Sequence, residues 1–341
     1  RLSGSGELDL SGSTWVLGGV FEKRPVVGSP SSGTLTISQT DFKLADNSTL
    51  TSDEALNFVN LNLNDYALTL GSSTSDLTIE NAITIDSSGE GILTGEADLI
   101  LLSSLNMSQG LLGSTGGTWV LSKDFLKSGG TLTISQTDLE LKDSIKLTSD
   151  QALSFVTLNL NNFTLTLGSS TSDLTVQNAI TIDASTEGIS TGEADLILMS
   201  ALTMSEGLLQ SSGGTWELYG DFVKSSGTLT ISQTDLKLDK DLTLTSDEAL
   251  SFVNLNLNFN TLTLGSSTSD LTVENAITIG QNTEGISTGD ADLILNETQT
   301  ISGEGSITST GGIISLQEGG KLLENGFLDV SNSTWTLGDN F

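Results

Sequence analysis

The chain has 341 residues with 12 Lys and Arg against 43 Asp and Glu, a formal net charge of −31 that argues against nucleic acid and anionic membranes as partners. Zero His and zero Cys exclude Ser-His-Asp and Cys-His catalysis, disulfides and thiolate metal sites. The longest wholly apolar runs, such as Leu99-Ile100-Leu101-Leu102, fall far short of the roughly 18 residues of a membrane helix, so no membrane insertion is expected.

Charged residues make up 16% of the chain and mean hydropathy is +0.05, which sets it apart from a disordered acidic tail. The chain begins at Arg1 without an initiator Met or a charged-then-apolar leader, and reads as a piece processed or excised from a longer protein. Its first element is "LDLSGSTWVLGGVF" (8–21), followed by "EKRPVVGSP" (22–30), which holds both prolines and reads as a tolerated surface loop.

From residue 33 onward the chain repeats. "GTLTISQTD" stands at 33–41, 130–138 and 227–235, and the three copies align without gaps through 50–86, 147–183 and 244–280. The repeats are therefore about 33–129, 130–226 and 227–323, and 324–341 starts a coil equivalent to 4–21. That last correspondence is close, because "LDVSNSTWTLGDNF" (328–341) matches 8–21 at 9 of 14 positions, as in a piece of a longer array.

Within each repeat the residues alternate. In Phe42-Lys43-Leu44, Leu139-Glu140-Leu141 and Leu236-Lys237-Leu238 the middle residue changes charge between copies while its neighbours stay apolar. Leu61/Leu63, Leu68/Leu70, Leu77/Ile79 and Ile83/Ile85 keep the same period of two, bounded by Gly, Ser, Asp and Asn corners. Only "SDEAL" (52–56) suggests a helical turn. Leu293/Leu295, Ile314/Leu316 and Trp335/Leu337 recur at an even spacing, and Leu99/Leu101 precedes Trp119/Leu121 by nearly the same step.

Short strands cannot bury an apolar face alone, but coiling them so that like residues stack encloses a narrow core and pairs the backbone between coils. The expected fold is therefore all-β, a single-stranded parallel β-helix (β-solenoid) running as one continuous domain over 1–341 with three 97-residue repeats. Five coils per repeat, each of about 19–22 residues, give roughly 17 coils and a rod ~80 Å long. In "GTLTISQTD" Leu35, Ile37, Leu132, Ile134, Leu229 and Ile231 should point inward and Thr36 outward, with Gln39 and Asp41 at the corner.

Candidate chemistry rests on carboxylates. Glu96/Asp98, Glu193/Asp195 and Asp290/Asp292 put two acids on one side of a strand, the arrangement of a polysaccharide-cleaving pair. Three near-equal copies fit solvated turns better than one active site. Asp41, Asp138, Asp235, Asp76, Asp173 and Asp270 sit at corners where calcium would find oxygens, but single corner Asp residues commonly bind backbone N–H groups. No catalytic residue, cofactor site or metal site is assigned.

Thr-Leu-Thr words at 34–36, 49–51, 131–133, 228–230, 243–245 and 261–263 raise ice binding, which needs them ranked coil after coil. Trp15, Trp119, Trp216 and Trp335 alternate in phase with apolar neighbours and should face the core; a sugar-stacking role would need them exposed.

Through "GTLTISQTD", "LTLGSSTSDLT" and "TGEADLIL" the chain resembles in architecture the β-helical stalks of bacterial surface proteins: filamentous-haemagglutinin-like adhesins, autotransporter passengers and giant repetitive adhesins. The resemblance implies a non-enzymatic structural or adhesive rod, extracellular or at the cell surface, with end-to-end self-association or continuation into further repeats. It also implies cell-surface or glycan contacts. An ice-binding β-solenoid is the alternative, and a polysaccharide-active β-helix the second.

Overall fold

The computed structural model describes residues 2, 7–24, 33–134, 136–231, 233–280, 284–301, 304–317, 321–322, 326–329, 331 and 333–337. Within them lie 47 strands, none longer than five residues, and no helix. Alternation of apolar and polar residues sustains each strand, and Gly, Ser and Asn corners end it.

Every ladder is parallel and joins a strand to the third one further along the chain, so a turn consists of three strands. Leu99 pairs with Trp119 and Trp119 with Leu139, so two successive turns have the same length. The fold is an all-β parallel β-solenoid. Turns are fewer than expected from the sequence, because several are longer than the spacing of Leu99 and Trp119: Trp15 pairs with Phe42 and Leu262 with Ile286.

The chain divides into two compact units, Arg1–Gly168 and Ser169–Phe341. In the first, strands Leu56–Phe58, Leu77–Ile79, Leu99–Leu101, Thr118–Leu121, Asp138–Leu141 and Leu158–Asn159 stack into one sheet. Val20–Glu22, Ser48–Thr51, Ala67–Leu70, Gly91–Gly95, Leu111–Ser114 and Thr131–Thr133 form a second. The third face carries Thr14–Leu17, Asp41–Leu44 and Asn60–Asn62, then Ile83–Ile85, Leu105–Met107, Phe125–Lys127, Ile145–Thr148 and Thr164–Leu167. The second unit repeats the arrangement, with Leu174–Val176, Leu196–Leu198, Thr215–Leu218, Asp235–Leu238 and Leu255–Asn256 on one face.

The repeat does not hold five coils. Thr131–Thr133 is the fourteenth strand after Thr34–Thr36, and fourteen strands at three per turn make four and two-thirds turns. Equivalent strands therefore change face: Asp41–Leu44 stacks between Thr14–Leu17 and Asn60–Asn62, while its counterpart Asp138–Leu141 belongs to the sheet of Leu99–Leu101. The second unit does the same, since Leu271–Val273 is fourteen strands beyond Leu174–Val176 and lies on another sheet, between Leu250–Phe252 and Leu293–Leu295. Each strand nevertheless keeps its own kind of neighbour, because stacking depends only on the strands three before and three after.

The core follows the alternation. Leu77, Ile79, Leu99, Leu101, Leu139 and Leu141 are at most 2% exposed, each such side chain contributing about 1.5–3 kcal/mol over leaving it in water. Trp15 meets Phe21, Phe42 and Phe58 at centroid distances of 4.8, 5.2 and 5.9 Å. In the next repeat Leu139 replaces Phe42, and Trp119 keeps two looser aromatic neighbours, Phe125 at 6.2 Å and Phe155 at 6.3 Å.

Other expectations are adjusted locally. The "SDEAL" stretch is a bend, not a helical turn, because Ser52 is buried with its N–H donated to Ser75 Oγ at 2.8 Å and its own Oγ accepting from Glu54 N–H at 3.2 Å. Leu35, Ile37, Leu132, Ile134 and Ile231 are buried and Leu229 is half-buried. Gln39 does turn the corner, with φ 54°, but Asp41 is the first residue of a strand, and the residue folded inward between them is Thr40. Of the expected 22–30 loop, residues 25–30 lie outside the described residues.

Candidate functional site

A concave surface lies on the outer face of the Arg1–Gly168 unit, where Asn60–Asn62 and Ile83–Ile85 follow one another but no ladder joins them. The sheet opens there into a groove of about 550 Å³. The pairings Thr14–Asp41–Asn60 and Val16–Lys43–Asn62 set two ranks of outward side chains along it, extended by Thr84, Asp86 and Glu90.

Hydrogen bonds fix this lining. Asn60 Nδ2 donates to Asp41 Oδ1 at 2.6 Å, and Asn81 Nδ2 donates to Asn60 Oδ1 at 3.0 Å. Glu90 Oε2 accepts the N–H groups of Asp86 and Ser87 at 2.9 and 3.3 Å. Beside the groove Asn64 and Asp65 turn the chain at φ 52° and 69°, a left-handed pair that Asn and Asp tolerate better than most residues.

The Ser169–Phe341 unit likewise has no ladder at the equivalent place, between Leu255–Asn256 and Ile277–Ile279. Asn254 donates to Asp235 at 2.7 Å and Asn275 to Asn254 at 3.0 Å, copying the first ladder. Lys237 Nζ there lies 3.0 Å from Glu217 Oε1 and 2.9 Å from Asp239 Oδ2, and hydrogen bonds to Asp239 and Glu217 push its pKa up to about 12. Tyr219 donates to Glu217 at 2.9 Å, and that bond raises its pKa.

A smaller, apolar groove of about 340 Å³ in the first unit is walled by Leu93 and Leu111 where Gly113 leaves room. In the second unit Ser190 and Gln210 stand in the places of Leu93 and Gly113 while Leu208 keeps that of Leu111, so the apolar character is only partly conserved.

The predicted acids occupy separate structural posts. Asp76 accepts the N–H of Asp98 at 3.0 Å, and Asp98 accepts the N–H of Thr118 at 2.7 Å, so each carboxylate caps the next coil. Asp173, Asp195 and Thr215 repeat this at 2.9 and 2.7 Å; Asp270, Asp292 and Ile313 do so at 2.8 and 2.7 Å. Glu96 stays exposed and Asp98 half-buried. Among the described residues, no three carboxylates gather in a way that would hold a metal ion.

Thr-Leu-Thr words are ranked only in part: those at 243–245 and 261–263 lie on paired strands, with Thr243 stacked on Thr263, but the others are not. Thr131 and Thr133 stack on Leu111 and Gly113, and Thr228 and Thr230 on Leu208 and Gln210. Trp119 and Trp216 are 1% exposed and Trp15 9%, whereas Trp335 is half-buried. The indole N–H groups of Trp119, Trp216 and Trp335 have no hydrogen-bond partner, consistent with packing as their role.

Three buried lysines escaped the sequence reading. Lys23, Lys127 and Lys224 are each 2% exposed, deeper than lysines normally lie. Lys23 Nζ reaches Asp53 at 2.6 Å and Glu54 at 3.1 Å; Lys127 pairs with Asp150; Lys224 pairs with Asp247 and, at 2.9 Å, with Glu248. Burial pushes the Lys23 and Lys224 pKa values down most strongly, but the hydrogen bonds and charges of their carboxylates together outweigh it and leave both raised. The available signal was Phe-x-Lys at 21–23, 125–127 and 222–224, each followed by a Ser-Asp corner.

No family model, no curated protein and no solved structure matches the chain.

Proposed function

We propose that this chain is a structural or adhesive segment of a longer extracellular or cell-surface repeat protein, stiffened by its ladders and able to continue or associate end to end. The observation that carries this reading is the four-and-two-thirds-turn repeat. It sends each equivalent surface to a new face, which suits a scaffold displaying the same features in several directions better than an enzyme built around one cleft. The acidic surface, with a net charge of −31, favours a soluble and self-repelling lateral face.

Electron microscopy of the purified chain tests the proposal. Rods or fibres of uniform width are expected. Compact globular particles at all concentrations would sink it.

A further inference from the structure

We propose that Phe259 is a sugar-stacking platform and that the polar surface beside it, where the Ser169–Phe341 unit lacks a ladder between Leu255–Asn256 and Ile277–Ile279, binds a neutral oligosaccharide. This deepens the adhesive part of the proposed function by giving it a ligand class, and binding can be measured whatever particle shape the chain adopts.

Phe259 is 58% exposed and stands at φ 68°, a left-handed conformation sterically disfavoured for an aromatic residue. The equivalent turns place Asp65 and Asn162 there, at φ 69° and 71°. Phe259 is thus an exposed, strained aromatic where the other copies use a residue that suits the backbone, the pattern of a conformation retained for a function.

The turn is held rigid. Phe259 N–H donates to Glu284 Oε1 at 3.3 Å and Asn258 N–H to Asn256 Oδ1 at 3.0 Å. Asn258 Nδ2 donates to Asp239 Oδ1 at 2.6 Å, which ties the turn to the Lys237 ion-pair cluster. Glu284 corresponds to Glu90 in the groove of the first unit, and its bond to Phe259 N–H sets Phe259 beside the equivalent break in the ladders.

A pyranose ring offers one apolar C–H face and a girdle of hydroxyls. The Phe259 ring supplies the matching apolar surface, and the amide and carboxylate oxygens around it supply acceptors for hydroxyls. Glu217, Asp239 and Glu284 disfavour an anionic sugar. One ring in a polar surround is also far too little apolar area for a stable protein interface, which needs about 1,000 Å² or more.

The test is isothermal titration of the full chain with β-1,4-linked hexamers of glucose, mannose and N-acetylglucosamine, alongside Phe259→Asn and Phe259→Trp. Asn occupies the equivalent turn at 162, so Phe259→Asn is expected to fold. At least one hexamer should bind, roughly tenfold or more weaker to Phe259→Asn, with Phe259→Trp retaining affinity. No binding of any hexamer to the native chain, or equal affinity for Phe259→Asn, overturns the proposal. So does a Phe259→Asn effect confined to the oligomeric state in sedimentation velocity. Filament formation in electron microscopy should be unchanged by Phe259→Asn, so failure here and failure of the stalk reading are separate results.

Discussion

Lys224 Nζ lies 2.9 Å from Glu248 Oε1, and the lysine side chain is 1% exposed while the carboxylate is 48% exposed. The pair is thus a buried cation reaching toward the surface for its counter-charge. Removing the carboxylates leaves that cation without its partners, whereas removing the charge with a stem of similar length leaves good packing. Asp247→Asn combined with Glu248→Gln is expected to cost about 2 kcal/mol, discounted for solvent at the half-exposed acids. Lys224→Met should cost less than about 1 kcal/mol. Urea denaturation, which does not screen charge, measures both, and a larger loss for Lys224→Met would reverse the assignment.

The same lysines give the molecule an alkaline limit. Lys23 and Lys224 have raised folded-state pKa values, and that of Lys237 is about 12. A lysine bound more tightly to its proton when folded contributes stability that is complete below the unfolded value of about 10.4 and lost as pH rises through the folded value. Tyr219, also raised, acts in the same direction because its neutral form is favoured in the fold. The melting temperature should therefore stay level toward pH 10 and fall between about pH 10.4 and 12. Lys237→Met should flatten part of that fall, and an unaltered slope would show that its ion pairs to Glu217 and Asp239 do not stabilise the fold.

Much of this fold was legible because alternation and repetition are local. Leu77/Ile79 and Leu99/Leu101 mark inward faces without any knowledge of the third dimension, and the spacing from Leu99 to Trp119 gives the turn directly. The change of face with each repeat was not legible, because it depends on the number of corners in each repeat, and a buried Thr40 beside Gln39 reads like part of an exposed turn. The lysine posts were hidden for a related reason: Lys127 and Asp150, far apart along the chain, meet only through the stacking of successive coils. Phe259 passed unremarked because a left-handed φ leaves no trace in composition when an aromatic occupies it.

Three equivalent threonines distinguish a bonded from an orphaned hydroxyl in the same packing. Thr40 Oγ1 donates to Leu10 O at 2.7 Å, while Thr137 and Thr234 Oγ1 are buried with no partner. Valine keeps the branched shape and removes the hydroxyl. Thr40→Val should lose about 1 kcal/mol, and Thr137→Val and Thr234→Val should be neutral or stabilising by about 1 kcal/mol. Equal destabilisation of all three in thermal denaturation would mean that the two hydroxyls are satisfied by water.

The second copy lacks the Asp–Asn bond of the polar ladder. Asp41 and Asp235 each accept from an Asn of the next coil, at 2.6 and 2.7 Å, but Thr157 stands opposite Asp138, whose buried Oδ1 has no partner. Thr157→Asn restores a donor of the right length and is expected to stabilise by about 1 kcal/mol. Asp138→Ala should remove that gain in a double-mutant cycle. A gain that survives Asp138→Ala would trace instead to the turn propensity of asparagine.

Glycine matters for two separable reasons within the Ser169–Phe341 unit. Gly192 and Gly207 both have positive φ, 60° and 74°. A Cβ at Gly192 would meet nothing within 4 Å, so Gly192→Ala carries only the left-handed penalty, about 1 kcal/mol. At Gly207 the same atom would lie 2.5 Å from Glu187 O and 2.6 Å from Ile182 Cγ2, so the coil above must lift off the one below. Gly207→Ala is therefore expected to cost about 2–4 kcal/mol, adding overpacking to the same backbone strain. The backbone contact cannot be relieved by rotating a side chain, and the local ladder should open with it. Hydrogen exchange should consequently show loss of protection at Leu208 and Leu209 in Gly207→Ala and none around Gly192 in Gly192→Ala; equal costs and equal exchange would show that the coils yield freely at this corner.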